Sequence, residues 1–246
     1  MMRMFRRRLT VAAFLLSLLP VSAIAQGRPA GPGGLSVAPV QLALDEARRS
    51  TSTIVANPGD TPITVQVRLF SWSMAGEEEV YAPPTDMGFS PPIFKLPAHG
   101  SQAVRLVAKV PPGPTERSYR LIIDQLPVAG AAGQLQMPVR MVLPVFVKPA
   151  SPSRPASLEW KAHYSAASKQ IVLSVVNPGP VHVRLVNLAV DDGRARKVVA
   201  TGLAGYALAG QRREWRFPAD GRSTTLTITA DTGPSPLRAS VPVSTQ

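Results

Sequence analysis

The stretch "VANPGDTPITVQVRL" at residues 55–69 returns in altered form as "VVNPGPVHVRL" at residues 175–185. Each copy carries Asn-Pro-Gly and, a few residues later, Val-x-Val-Arg-Leu. Asn, Pro and Gly are turn chemistry, and the alternating Val-x-Val pattern on either side is strand chemistry. A strand–turn–strand phrase written twice in one chain points to two similar β domains in tandem, although similar turns also recur by chance. In each half the phrase would supply the second strand, its turn and the third strand of a sandwich.

The remainder of the chain supports that division. "LSVAPVQLAL" reads as a strand bent at Pro39, and "RSTSTIVAN" and "ITVQVRLFSW" as strands around the Asn57-Pro58-Gly59 turn. "SPPIFKLPAHGSQAVRLVAKV" gives a short strand, a turn containing Gly100 and another strand; "SYRLIIDQLP" is a further strand, and "GQLQMPVRMVLPVFVKP" a long extended segment. "KPASPSRPAS" (148–157) reads as a linker. Beyond it "LEWKAHY", "QIVLSVVN", "VHVRLVNLAV", "GYALAG", "REWRFPA" and "TTLTITA" are short strands again. No long stretch has helical periodicity, and 26 prolines argue against helices. Strands spaced at roughly 8–12 residues predict an all-β chain of two antiparallel sandwiches, an N-terminal domain at 35–149 and a C-terminal one at 156–246.

Residues 1–25 are set apart. Arg3, Arg6, Arg7 and Arg8 precede the apolar run "LTVAAFLLSLLPVSAIA", which ends in Ala23-Ile24-Ala25, and this reads as a cleaved secretory signal peptide. The run is short for a membrane span, and no later segment is apolar enough to cross, so the exported chain is expected not to be embedded in a membrane. The leader holds four arginines and no acid, so the formal net charge of +12 falls to +8 once it is removed. The remaining cations are scattered singly along strands. The dense spots "GRARK" (193–197) and "QRRE" (211–214) read as solvated turns. No basic stripe suggests nucleic acid as a partner. With no cysteine, an exported chain must be held by its cores rather than by disulfides.

Chemistry is hard to find. His99, His163 and His182 do not stand at metal-ligand spacing with one another or with a pair of acids, and His182, between Val181 and Val183, is expected to face solvent. No nucleophile elbow, phosphate loop or dinucleotide fingerprint occurs, so neither a catalytic residue, a metal site nor a cofactor is expected. "DDG" (191–193) reads as a hairpin turn, and "EEE" (77–79) as solvated charge in a loop. Binding is favoured over catalysis.

The segment that carries a binding function is Leu135–Pro149, "LQMPVRMVLPVFVKP". Read with period two, one face holds Leu135, Met137, Val139, Met141, Leu143 and Val145. The other holds Gln136, Pro138, Arg140, Val142, Pro144 and Phe146. Proline confines a strand to an edge, or to places where its missing donor does not matter. An apolar row on an edge strand is a liability unless it is covered. Either the row lines the core, or it serves a partner by adding a strand. Patterning alone does not separate these two readings.

Several motifs together resemble the PapD-like periplasmic chaperones of pilus assembly. They are "SPPIFKLPAHGSQAVRL", "ERSYRLIIDQLP", "LPVFVKP" and "GYALAGQRREW", and their combined wording is most similar to the archaic, spore-coat-U-type branch of the family. The resemblance spans nearly the whole mature chain. It implies two immunoglobulin-like β-sandwich domains in an L-shaped arrangement, and a non-enzymatic, ATP-independent chaperone. Such a chaperone lends a long edge strand to a pilin subunit that lacks its last strand, then passes it to an outer-membrane usher. It implies Leu135, Met137, Val139, Met141 and Leu143 as the subunit-binding donor row and a location in the periplasm. Self-capping as a homodimer is a further partnership it admits.

The chain departs from the family at one point. A first-strand arginine and a donor-strand lysine hold the client's C-terminal carboxylate in better-studied members, and matching puts Gln41 and Pro144 at those places. Arg120, Arg105 and Arg140 on neighbouring strands are the candidate replacements, since an arginine fork suits a carboxylate. Lys148 stands at the expected interdomain hinge and could pair with an acid of the second domain. The competing reading is a secreted tandem immunoglobulin-like adhesin or coat protein without a client.

Overall fold

The protein is described from a computed structural model over residues 34–127, 137–151, 158–233 and 235–245. The expected signal peptide, Leu135 and most of the expected linker lie outside the described residues.

The first half contains β1 (Ser36–Ala38), β2 (Leu42–Leu44), β3 (Ser50–Ala56), β4 (Ile63–Ala75), β5 (Glu78–Ala82), β6 (Met87–Ser90), β7 (Ile93–Leu96), β8 (Ser101–Ala108), β9 (Arg117–Leu126) and β10 (Arg140–Val147). One sheet has the order β1-β3-β8-β6, and the facing sheet has β2-β10-β9-β4-β5 with β7 also on β4. The segment around Pro39 does bend, since β1 and β2 belong to opposite sheets. The second half contains β11 (Glu159–Ser165), β12 (Gln170–Val176), β13 (Val183–Asp191), β14 (Arg196–Val198), β15 (Leu203–Ala207), β16 (Arg212–Pro218), β17 (Thr225–Asp231) and β18 (Pro236–Thr245). These strands follow the order β14-β13-β17-β18-β11-β12-β16, with β15 on β13. Each half is an immunoglobulin-like sandwich, and among the described residues there is no helix.

Alternation builds both cores. On β4, Ile63, Val65, Val67 and Leu69 point inward and are buried, while Thr64, Gln66 and Arg68 between them are half-buried on the outer face. They meet Val55, Leu106, Ile123 and Val145 in the first core. Leu173, Val175, Leu185, Trp215 and Ile228 make the second. Each fully buried aliphatic side chain contributes about 1.5–3 kcal/mol, which is how a chain without disulfides holds two small domains.

The repeated phrase has a shared structural cause. Asn57 Nδ2 donates to the carbonyls of Thr61 (2.8 Å) and Pro97 (3.0 Å), and its Oδ1 accepts from Gly59 N (3.0 Å). Asn177 Nδ2 donates to the carbonyls of Val181 (2.7 Å) and Ala207 (2.8 Å), and its Oδ1 accepts from Gly179 N (3.0 Å). The two strands of each phrase are not partners: β3 pairs with β1 and β8 and β4 with β5, β7 and β9, while β12 pairs with β11 and β16 and β13 with β14, β15 and β17. The Asn-Pro-Gly turn is a crossover held by its asparagine, not a hairpin. "DDG" is a hairpin turn as expected: Gly193 has φ +82° and joins β13 to β14, which pair antiparallel. The Asp192 carboxylate is held at about 2, below its ordinary value, by the amides of Ala195 and Arg194 and the Ser223 hydroxyl.

Candidate functional site

The expected donor segment ends in β10, which pairs antiparallel with β9 along its whole length, Arg140–Val147. On its other flank it pairs with β2 only at Val145–Val147. From Arg140 to Val142 that flank meets no strand among the described residues. The apolar row changes surroundings as it runs along the strand. Met137 is 79% exposed, Val139 is half-buried, and Met141 is half-buried against the first core. Leu143 is 2% exposed inside that core, beside Val145 and Val147. Core and open edge are therefore successive portions of one strand.

The outer face of β10, β9 and β4 carries charge. Asp124 accepts from Arg68 Nη2 (2.7 Å) and from Arg140 Nε. Burial by itself would push the Asp124 carboxyl up. The hydrogen bonds and charges of Arg140 and Arg68 outweigh that and hold it below its ordinary value. Two guanidiniums on one buried carboxylate leave a net positive face. This face lines an open cavity of about 500 Å³ together with Gln66, Gln125, Pro138 and Val139.

Further along the same face the two domains meet. Arg120 stands directly across from Pro144 in the β9–β10 register. It is 7% exposed, with its guanidinium 3.5 Å from the Trp72 ring centroid and forked onto Glu79 (3.1 and 2.6 Å). Trp72, Phe146, Tyr206 and Leu208 form a buried apolar cluster between the domains, with Met74 packed on it. Met74 N donates to Gln211 Oε1 (2.8 Å), and Arg216 pairs with Glu77. The acidic run 77–79 is thus not merely solvated charge: Glu79 and Glu77 hold Arg120 and Arg216. Tyr81, desolvated and bonded to Glu79, has its phenol pushed up to about 12. "QRRE" is not simply a solvated turn either. Gln211 spans the junction, and burial lowers the Arg213 guanidinium from its ordinary value.

His182 does not face solvent. Its ring stacks on Phe146 with centroids 3.7 Å apart, and its Nδ1 lies 2.7 Å from the buried Glu116 carboxylate, which also accepts from the His182 amide (3.0 Å). The strand alternation identified the face of His182 correctly, but that face is covered by the other domain. Lys148 is exposed beside this contact, lining a crevice with Glu116 and His182, and its amide donates to Leu44 O (2.9 Å). Among the described residues Lys148 makes no ion pair; the acid–base contact beside it across the domains is Glu116 with His182. Of the three arginines considered for a carboxylate, the structure brings Arg120 and Arg140 to one face. Arg105 lies on β8 in the other sheet, where its Nη2 donates to Ser50 Oγ (3.2 Å). Glu116, Glu79, Trp72, Tyr206 and Gln211 carried no local signal in the sequence, because their roles arise from a meeting of segments 41 to 137 residues apart.

Residues 34–153 match the sequence model of a pili and flagellar-assembly chaperone, PapD N-terminal domain. Comparison with curated sequences returns no significant match. Among solved structures the chain is similar to the CsuC–CsuE chaperone–tip adhesion subunit pre-assembly complex of archaic Csu pili from Acinetobacter baumannii, with a TM-score of 0.68 and 20% identity over 87% of this chain and 99% of that one. It is similar to the E. coli chaperone DraB, with a TM-score of 0.55 and 20% identity over 84% and 95%. It is also similar to the complex of the Salmonella enterica SafA pilin with the SafB chaperone, with a TM-score of 0.58 and 18% identity over 84% and 95%.

Proposed function

Through residues 34–153 the chain belongs to the PapD-type pili and flagellar-assembly chaperones, and on that premise we propose that it binds pilin subunits by lending them the open edge of β10. The observation that carries the reading is the flank of Arg140–Val142, which pairs with no strand among the described residues because β2 reaches only the Val145–Val147 end. A subunit lacking one strand has a sheet with two unpaired edges and an apolar groove between them. An added strand satisfies the main chain, and its alternate side chains fill the groove. Leu135, Met137, Val139 and Met141 are the side chains lent, and Met suits pockets of more than one shape. Leu143 begins the donor row as its anchor in the chaperone's own core.

Arg120 is the first choice for holding a client's terminal carboxylate, because it stands across from Pro144 and its fork already donates to one carboxylate, that of Glu79. Arg140, shared with Asp124, is the second choice, and Arg105 the third. In this reading residues 1–25 direct the chain to the periplasm, the domains at 35–149 and 156–246 clasp the subunit near the Lys148 hinge, and the capped subunit passes to an outer-membrane usher. Nothing in the cycle requires catalysis or ATP. The solved relatives support the reading, since two of them are complexes of a chaperone with a tip subunit or a pilin.

The test is co-expression in a Gram-negative periplasm with a panel of candidate pilin subunits, followed by tagged pull-down. The expected result is a one-to-one complex. It should be lost in the Met137→Asp, Val139→Asp double variant, whose melting temperature should remain within a degree or two of wild type because Met137 is exposed and Val139 only half-buried. Absence of any complex, with the purified chain polymerising alone, would favour an adhesin or coat protein.

A further inference from the structure

We propose that Pro138 and Pro144 set the register in which β10 accepts a partner strand, leaving the Arg140 and Val142 amides as the donors between them; the inference rests on the chaperone reading above. In a strand the N–H and C=O of one residue point to the same flank, and successive residues alternate. Two hydrogen bonds fix the parity here. Gln125 N donates to Val139 O (2.9 Å), so odd-numbered residues face β9. Lys148 N donates to Leu44 O (2.9 Å) on the opposite side, so even-numbered residues face the other flank. Phe146 lies on that flank opposite Ala43 of β2. Upstream of it, residues 138, 140, 142 and 144 direct their main chain to the same flank.

Both prolines fall on this even parity, so neither removes a bond to β9, and that is how a strand tolerates two of them. The open edge consequently offers the carbonyls of Pro138, Arg140 and Val142 but only the amides of Arg140 and Val142, because the parallel Val145–Leu42 pair already takes the Pro144 carbonyl. A partner strand must place its carbonyls opposite those two amides. Slipping it by one pair in either direction would set a carbonyl against a proline ring. The side chains pointing into a client groove would then be fixed by main-chain chemistry as much as by pocket fit. Val142 is the informative residue. Its side chain lies on the face away from the donor row, so its amide can be tested without touching the row.

Two measurements test this. In the free full-length chain, amide exchange followed residue by residue by NMR should be slow at Met141 and Leu143 and fast at Arg140 and Val142. A slow Val142 amide would overturn the proposed parity. The second measurement compares Val142→Pro with Pro144→Ala, using as ligand whichever pilin subunit the wild-type chain retains in co-expression. Val142→Pro should fold normally, since the ring occupies the open flank, and should bind the subunit about tenfold or more weakly for want of one donor. Pro144→Ala should bind no more weakly than wild type.

Equal binding by Val142→Pro, its failure to fold, or an equal loss in Pro144→Ala would each overturn the inference. If the wild-type chain retained no subunit, the chaperone reading itself would fall and this inference with it. Retention by wild type with indifference to Val142→Pro would overturn the register alone.

Discussion

Asn57 and Asn177, at 1% and 0% exposure, each tie a turn to a neighbouring strand through three hydrogen bonds. Asn177→Ala would leave two carbonyls and one amide without these partners. It should destabilise the second domain by about 2–4 kcal/mol in urea unfolding. Asn177→Asp, of the same size, should be no better, because a carboxylate cannot donate to the Val181 and Ala207 carbonyls. Asn57→Ala should do the same to the first domain. These asparagines were legible in the sequence because a turn residue satisfies its neighbours locally. His182 was not. It occupies the place in the second phrase that Gln66 occupies in the first, and alternation assigns the two the same kind of face. What covers that face is Phe146 and Glu116, brought by a different part of the chain.

At the scale of the element, β4, β9 and β10 are joined across their outer face by Arg68, Asp124 and Arg140. The Asp124 carboxyl lies below its ordinary value when folded. The stability it contributes is therefore fully present above the ordinary carboxyl range and is lost as the pH falls through that range toward the folded value. The stability difference between wild type and Asp124→Asn should accordingly shrink as denaturant unfolding is repeated from about pH 5 down to about pH 2. A difference that stayed constant or grew would rule out this ion triad as a stabilising group. The strand β10 itself shows where patterning stops. Period two sorted its side chains onto the right faces, yet it assigned one environment to the entire row. The environment changes along the row because the facing sheet and β2 cover Leu143 and Val145 but not Met137. The extent of a neighbouring layer is a property of the assembled sandwich, so a local pattern contains no measure of it.

Across the whole molecule, the two sandwiches were legible from strand spacing, whereas their mode of contact was not. Phe146 is 1% exposed between Trp72, Tyr206 and His182. Phe146→Ala should cost about 3–4 kcal/mol of contact energy. Calorimetry should show the two domains unfolding in more widely separated steps than in wild type. An unchanged separation would mean that the junction is held by its ion pairs instead.

The position of Phe146 also has a mechanical meaning. The strand whose early residues stand free ends in eight registered pairs with β9 and in the joint between domains. Tension applied along its free portion loads that ladder in shear, with many hydrogen bonds resisting at once. A neighbour lying alongside the same portion can instead be peeled away one bond at a time from the Pro138 end. In the proposed donor role, the strand would be gripped firmly and let go progressively, and it would stay with its own domain when the partner leaves.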